Sequence, residues 1–359
     1  MSGGIDSSVA AKLLATQDYD LSAVFMRNWD TRDEYGNSDK GCEWEKDWDD
    51  VQQVCKVYDI PCQMIDLSKE YWNRVFEPSL RQWEYGVTPN PDVWCNREIK
   101  FGALLQRLPH ATAEKPPWLA TGHYARKDRA LSRPRLRRGI DPVKDQSYYL
   151  SSITETGLAR ALFPLGELTK SEVRGIAHEG GIPTSVLERK ESMGLCFIGE
   201  KKRTDFKEFI SSYISPSPGP VKILEHEGLW SFTIGEKIRL RGMPEKMYVA
   251  QKDISSNTIF VAPGWDPSLC CQSIHAQDFS WIWPDWPLTG LVQGKTLFVQ
   301  VRHRMRGVEC TVKTAENDND HSRLEIVFHE PQKGVAPGQV AALWDNDWCL
   351  GCGIITSTA

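Results

Sequence analysis

The chain opens on Ser2-Gly3-Gly4-Ile5-Asp6-Ser7, which leads straight into the small and apolar residues Val9 to Leu14. Adjacent glycines permit backbone conformations closed to other residues. A helix starting just behind them presents N–H groups without intrahelical partners and the positive end of its dipole, a setting that suits phosphate. A Gly-Gly turn with Ser and Asp at a helix start is also ordinary structural chemistry, so the loop alone does not name a ligand.

Two further segments carry reactive atoms. Thr88-Pro-Asn-Pro-Asp-Val-Trp-Cys95-Asn96 and Lys190-Glu-Ser-Met-Gly-Leu-Cys196-Phe-Ile-Gly199 each set a cysteine in a turn-rich context. A core cysteine behaves as a small hydrophobe. Neither segment reads as core packing, so Cys95 and Cys196 are taken as working thiols. The chain holds ten cysteines at irregular spacing with no signal peptide, the pattern of thiols in a reducing compartment. Cys349 and Cys352 form a CxxC, but no second pair stands at zinc spacing and the surrounding residues read as a strand hairpin, so no protein metal site is expected.

The elements that must hold these groups read as an open α/β sheet. Leu21 to Met26 fits a buried strand, Trp48 to Tyr58 a helix and Cys62 to Asp66 a second strand. Trp118 to His123 reads as a strand ending at a Gly-His turn, and Glu155 to Leu162 and Lys170 to Glu179 as helices. Past Pro216-Ser-Pro-Gly-Pro220 the pattern changes to short apolar runs between Gly, Pro and Asn turns, among them Val221–Leu224, Lys246–Ala250 and Thr258–Ala262. Strand signals continue through Thr296–Arg302, Leu324–Phe328 and Val340–Trp344. The expected organisation is an α/β domain over residues 1–204, a small β-rich domain over 205–275 and a β-barrel-like domain over 276–359. A phosphate loop ahead of a helix normally follows a buried strand, and here only Met1 precedes it, so the sequence is expected to begin later than the gene's true start.

Of the 359 residues 40% are apolar and 25% charged, and no run approaches the roughly 20 apolar residues of a membrane span. The net charge of -5 gives no hint of a polyanionic partner, but its distribution is uneven. Acids crowd Asp30 to Asp50, whereas Arg97 to Arg138 holds eleven Lys/Arg against three acids. Such a block is usually a solvated face. Beside Cys95 and His123 it is expected to meet nucleic acid.

Ser-Gly-Gly-x-Asp-Ser resembles the pyrophosphate-binding loop of the ATP pyrophosphatase (PP-loop) family, which attaches AMP to a carbonyl oxygen. Together with the Cys95 and Cys196 segments, Phe25-Met-Arg-Asn-Trp29, Ala120-Thr-Gly-His-Tyr-Ala125, Asp141-Pro-Val-Lys-Asp-Gln146, Phe163-Pro-Leu-Gly166 and Ala336-Pro-Gly-Gln339 make the chain similar, over nearly its whole length, to the tRNA 2-thiouridylases. That resemblance implies an adenine nucleotide alpha hydrolase-like first domain and ATP with Mg²⁺ as cofactors. It places ATP against Ser2, Gly3, Gly4, Asp6, Ser7, Met26 and Gly122, and the target base against Asn90, Pro91 and Asp92. It makes Cys196 the persulfide carrier, Cys95 its partner thiol and Asp92 a proton handler or base-orienting group. It assigns tRNA contacts to His123, Lys144, Asp145, Gln146, Arg302, His303 and Gln339. A satisfied turn histidine at His123 and a surface strand cation at Arg302 are the plain alternatives.

Bacterial relatives usually carry Ser-Thr-Gly before the persulfide cysteine. Ser192-Met193-Gly194 resembles the mitochondrial branch, which implies a mitochondrial location, the Lys, Glu and Gln tRNAs as substrates, and a persulfide-donating relay or cysteine desulfurase as partner. The rivals are another ATP pyrophosphatase ligase, which needs no cysteine pair, and a catalytically inactive tRNA-binding protein.

Overall fold

The computed structural model describes residues 1–29, 43–108, 116–189, 210–211, 213–214, 219–221, 224–226, 228–240, 243, 245–285, 295–314 and 321–359. These form two compact units that interleave in sequence. The first comprises Met1–Val75, Asp92–Glu200 and Asp347–Cys349, the second Phe76–Pro91, Lys201–Asn346 and Leu350–Ala359.

In the first unit α1 (Ile5–Ala15) buries Ser8, Val9, Ala10 and Leu14. Strands β1 (Ala23–Arg27) and β2 (Cys62–Asp66) pair in parallel from Ala23 opposite Cys62 to Arg27 opposite Asp66. Parallel neighbours require a crossover, and α2 (Glu43–Val57) supplies it, packing Val51 and Cys55 against Ala23 and Phe25. Val9, Ala10, Val54, Tyr124, Leu165 and Val173 build a second apolar cluster around α1. Met1 lies beside β1, its amino group donating to the Val24 carbonyl.

Strand β3 (Leu119–Ala120) is short, and β4 (Ala125–Ala130) and β5 (Arg133–Arg138) form an antiparallel hairpin. The hairpin turns on Leu131 and Ser132 at φ 51° and 65°, the two-residue geometry that matches strand twist. Residues expected as one helix from Glu155 to Leu162 divide. The helix stops at Ala159, and Ala161–Leu162 becomes β6, because these two residues pair in parallel with Leu119 and Ala120. Helix α3 (Lys170–Glu179) is the expected one, started by a reciprocal capping box between Thr169 and Glu172.

The second unit holds two sheets. In one, β7 (Gly219–Val221), β8 (Leu224–His226), β9 (Lys237–Ile238), β10 (Met247–Asp253) and β11 (Thr258–Pro263) run in the order β8-β7-β11-β10-β9. The run Val221–Leu224, expected as one strand, instead joins two antiparallel strands with Val221 opposite Leu224. In the other, β12 (Cys270–Trp281), β13 (Leu297–Gln300), β14 (Val308–Thr314), β15 (Leu324–Lys333), β16 (Val340–Asp345) and β17 (Trp348–Thr358) run β12-β15-β14-β13-β16-β17, and β12 pairs again with β17. That second pairing closes a six-stranded barrel and removes its open edges. Its interior holds Ile274, Leu297, Val299, Val312, Ile326, Leu343 and Ile355, all buried. The order of an α/β part, a small β-rich part and a barrel is the one expected from sequence. Among the described residues no helix is long and apolar enough to cross a membrane.

Candidate functional site

The phosphate-type loop is built by short-range contacts. Gly4 is the extended N-cap of α1 and supplies no side-chain cap, so the first turn keeps its N–H groups directed at the loop. Ser7 and Ser8 each donate their hydroxyl to the Gly4 carbonyl at 3.0 Å, and the Ser2 and Ser7 hydroxyls meet at 3.3 Å. Gly3 has φ 69°, and a Cβ there would stand 2.9 Å from the Asp47 carbonyl oxygen. Only glycine fits both the angle and the space.

Gly122, two residues past β3, lies on this loop. A Cβ on it would stand 2.9 Å from both the Asp6 carbonyl carbon and the Ser7 nitrogen. Asp6 turns its carboxylate to Tyr124 and Lys170, accepting from the phenol at 2.8 Å and the ammonium at 2.7 Å. The acid is thereby neutralised beside a helix start whose amides remain available to an anion. Met26 sits next to the carboxyl end of β1, opposite Ile65, the edge at which open α/β sheets bind ligands. The structure thus brings Ser2, Gly3, Gly4, Asp6, Ser7 and Gly122 together. Tyr124 and Lys170 belong to this assembly; sequence reading gave Tyr124 no role although it lies in the Ala120–Ala125 motif, and Lys170 lies in no motif at all.

Cys95 is not in a turn. Pro91–Trp94 forms one helical turn, and Cys95–Leu104 continues it as a wider π-helix in which Cys95 is 1% exposed. Proline at the first helical position starts the helix without losing a hydrogen bond, which is why a Pro- and Asn-rich stretch that reads as a turn becomes helical. Asn96, also buried, donates through Nδ2 to the carbonyls of Asp92 and Tyr149 at 3.1 Å each, and Ser152 donates to the Val93 carbonyl at 3.2 Å. These bonds pin the backbone that carries Asp92 and Cys95. Cys196 lies outside the described residues.

His123 is 9% exposed, its Nδ1 2.8 Å from the Thr121 hydroxyl and its ring against Phe101 and Phe163. Burial first, and the nearby Lys100 charge second, hold it well below the usual imidazole range, so the ring is neutral near pH 7. Asp145 accepts from the Gly139 and Ser147 N–H groups and the Ser147 hydroxyl, and pairs with Arg138 at 3.3 Å. Gln146 accepts the Tyr124 N–H at 3.1 Å, while Lys144 is half-buried beside Asp141. Asp145 and Gln146 therefore shape the chain around Tyr124.

In the second unit Gln339 donates through Nε2 to the Thr88 and Pro89 carbonyls and accepts from Asn90 Nδ2, all at 3.1 Å. Arg302 is exposed and donates to the Lys333 and Gly334 carbonyls at 3.0 and 3.4 Å, with the half-buried His303 next to it.

The basic block is largely spent on internal pairs. Arg135 and Arg137 grip Asp128, Arg126 and Arg137 meet Asp347, and Arg133 holds Glu155. The part of this block on the β4–β5 hairpin, expected to meet nucleic acid, is laced together internally, because Asp128 and Asp347 stand between its guanidiniums.

The chain thus joins an α/β unit with a phosphate-type loop to a small β sheet and a closed β barrel. Residues 1–200 match the family described as tRNA methyl transferase HUP domain, 207–263 the tRNA methyl transferase PRC-barrel domain, and 271–355 the aminomethyltransferase beta-barrel domain. The tRNA-specific 2-thiouridylase MnmA of Bacillus licheniformis is 40% identical over 364 residues, covering 99% of this chain and 93% of the relative. Those of Ralstonia nicotianae and Nitrosomonas eutropha are each 40% identical over 371 residues, covering 100% of this chain and 95% and 97% of the relatives. The chain belongs to the tRNA-specific 2-thiouridylase family.

Proposed function

We propose that this protein uses ATP to replace an oxygen of a tRNA uridine by sulfur, giving 2-thiouridine. The observation that carries the reading is that the amide-lined loop at α1 and the cysteine of Asp92–Cys95 belong to one compact unit of a thiouridylase-family chain.

The chemistry explains the parts. Oxygen on C2 of uridine is a poor leaving group, and transfer of AMP from ATP converts it into a good one. The α1 N-terminus and the Gly3–Gly4 loop would neutralise the pyrophosphate that departs, acting on charge as it develops. Mg²⁺ would be held chiefly by the phosphates and water, as is usual for this ion. Tyr124 and Lys170 keep Asp6 from competing with the nucleotide for the amides.

A persulfide on Cys196 would attack C2 through its outer sulfur and expel AMP. Cys95 would then attack the Cys196 sulfur, forming a Cys95–Cys196 disulfide as the bond to the transferred sulfur breaks, and a thiol reductant would restore both. Asp92 would orient the base or take its proton.

The finer reading is the wobble uridine, position 34, of the mitochondrial Lys, Glu and Gln tRNAs, with a persulfide relay or cysteine desulfurase as donor, in mitochondria. Its support is the resemblance of Ser192-Met193-Gly194 to the mitochondrial branch. The test is incubation with unmodified mitochondrial tRNA-Lys, ATP, Mg²⁺ and sulfide or a persulfide donor, followed by digestion and mass spectrometry. ATP-dependent 2-thiouridine that disappears in Cys196→Ser is the expected result. Binding of tRNA without product would favour an inactive tRNA-binding protein, and activity retained in both Cys95→Ser and Cys196→Ser would exclude the two-thiol mechanism.

A further inference from the structure

Beside the nucleotide loop stands a charged group that the reaction scheme does not use. Arg189 places Nη2 2.5 Å from Asp47 Oδ1 and Nη1 3.7 Å from Asp50 Oδ2. The same Nη1 lies 3.5 Å from the Gly3 carbonyl oxygen and 3.0 Å from the point a Cβ on Gly3 would occupy. Asp47 and Asp50 are three residues apart on α2 and so share a face. Ser185 donates to Asp50 Oδ1 at 2.8 Å.

One guanidinium between two carboxylates leaves one negative charge over, next to a loop whose amides and helix start favour anions. Burial pushes the Asp47 carboxyl above its ordinary range, and Arg189 opposes that shift without cancelling it. Asp50 is fixed by Ser185 and is 2% exposed, whereas the Arg189 and Asp47 side chains are each 25% exposed. The guanidinium is therefore the part of the cluster that can turn. A polyphosphate at Gly3 offers it more charge than a single carboxylate, with oxygen geometry suited to its planar fork.

We infer that Arg189 is a polyphosphate-binding residue of the nucleotide loop, held by Asp47 and Asp50 in the absence of ligand and drawn to the β and γ phosphates when ATP binds. This rests on the nucleotide reading of the loop and adds to it a residue outside the glycine motif. Asp47 is then a competitor that tempers affinity and gives Arg189 a place to return to once pyrophosphate leaves.

The test is calorimetry of ATP, pyrophosphate and AMP binding to the full chain and to Arg189→Gln, Arg189→Lys and Asp47→Asn, with thermal melts alongside. Arg189→Gln is expected to raise the Kd for ATP and pyrophosphate about tenfold, a loss of about 1.4 kcal/mol, and to leave AMP within about twofold. Arg189→Lys falls between, and Asp47→Asn lowers the Kd for ATP and pyrophosphate a few-fold because the guanidinium is released. A structural lock would instead make both Arg189→Gln and Asp47→Asn weaken binding, or weaken AMP as much as ATP, and either result overturns the inference. If Arg189→Gln does not fold, the opposite signs of Arg189→Lys and Asp47→Asn decide it. Wild-type protein that binds neither ATP nor pyrophosphate sinks the nucleotide reading itself, whereas normal wild-type binding with an unchanged Arg189→Gln sinks only the role of Arg189.

Discussion

Asn90 and Gln339, separated by 249 residues in sequence, are joined by an Nδ2–H···Oε1 bond of 3.1 Å, while the other end of the Gln339 amide donates to the Thr88 and Pro89 carbonyls. The amide is used at both ends, which fixes its orientation: the oxygen faces Asn90 and the nitrogen faces the two carbonyls. Gln339 thus acts on the Thr88–Asn90 backbone directly, and any contact with tRNA is additional to that role. Gln339→Ala should raise the KM for tRNA several-fold with ATP binding unchanged, since each lost bond is worth about 0.5–1.5 kcal/mol. Gln339→Glu should be worse than Gln339→Ala, because a carboxylate would face two carbonyl oxygens that need a donor. Steady-state kinetics with varied tRNA, beside ATP calorimetry, separates these outcomes. Equal behaviour of the two variants would argue against the assigned amide orientation.

Lys252 serves the same stretch from the other β sheet, donating to the Gly86 carbonyl at 2.7 Å and the Thr88 hydroxyl at 3.4 Å. It has no ion pair among the described residues, and burial alone pushes its ammonium down to about 8. A lysine depressed from 10.5 binds fewer protons folded than unfolded between these values, so its burial costs stability below pH 8 and the cost fades as pH rises towards 10.5. Lys252→Met should therefore melt at the same temperature as wild type or higher at pH 7, while the KM for tRNA rises. A drop in melting temperature together with an unchanged KM would mean that Lys252 is only structural.

What the sequence disclosed depended on how local the signal was. Strands β12 and β14, whose apolar residues are interrupted by polar ones such as Gln277 and Lys313, went unmarked. The Gly3–Gly4 loop and α1 are set by adjacent residues, and the apolar runs of β1, β2, β10, β11, β13 and β15 to β17 carry their own signal, so these were legible. The β4–β5 hairpin was not. Its turn residues Leu131 and Ser132 lack the Asn-Gly chemistry of a two-residue turn, and its strands are so rich in arginine that they read as a charged face. The pairing that consumes those charges comes from Asp347, 210 residues from Arg137. Cys95 was singled out as a thiol in a turn, and its place as a buried helical residue was not legible, because its helix relies on Asn96 reaching Tyr149, 53 residues away. Arg189 and Lys170 act on the loop from the far side of the sequence, where no local motif marks them.

Gly122 makes the most direct test of the loop. Its missing Cβ is what allows the strand end to lie on the Asp6–Ser7 peptide, with 2.9 Å to each of two backbone atoms. Backbone cannot swing aside as a flexible side-chain tip can, so Gly122→Ala must displace the start of α1. ATP binding should weaken at least tenfold, a loss of about 1.4 kcal/mol or more, while far-ultraviolet circular dichroism and the melting of the β unit stay near wild type. Calorimetry of ATP binding checks this, and unaltered affinity would mean that the nucleotide does not depend on this loop.

His123 titrates in the unfolded chain near its ordinary 6.5 but is held neutral in the fold, first by burial and then by the Lys100 charge. The unfolded state therefore takes up a proton that the folded state refuses. Its contribution is fully present above pH 6.5 and is lost as pH falls below that value, at a slope of up to about 1.4 kcal/mol per pH unit until the folded ring also protonates. His123→Asn keeps a polar group beside Thr121 but removes the titration. Denaturant melts of the two proteins between pH 7.5 and 5 (values of about one pH unit apart suffice) should converge as pH falls, with wild type losing more stability than the variant. Parallel curves would show that His123 is protonated in the fold, which would also reopen it as a cationic contact for RNA phosphate.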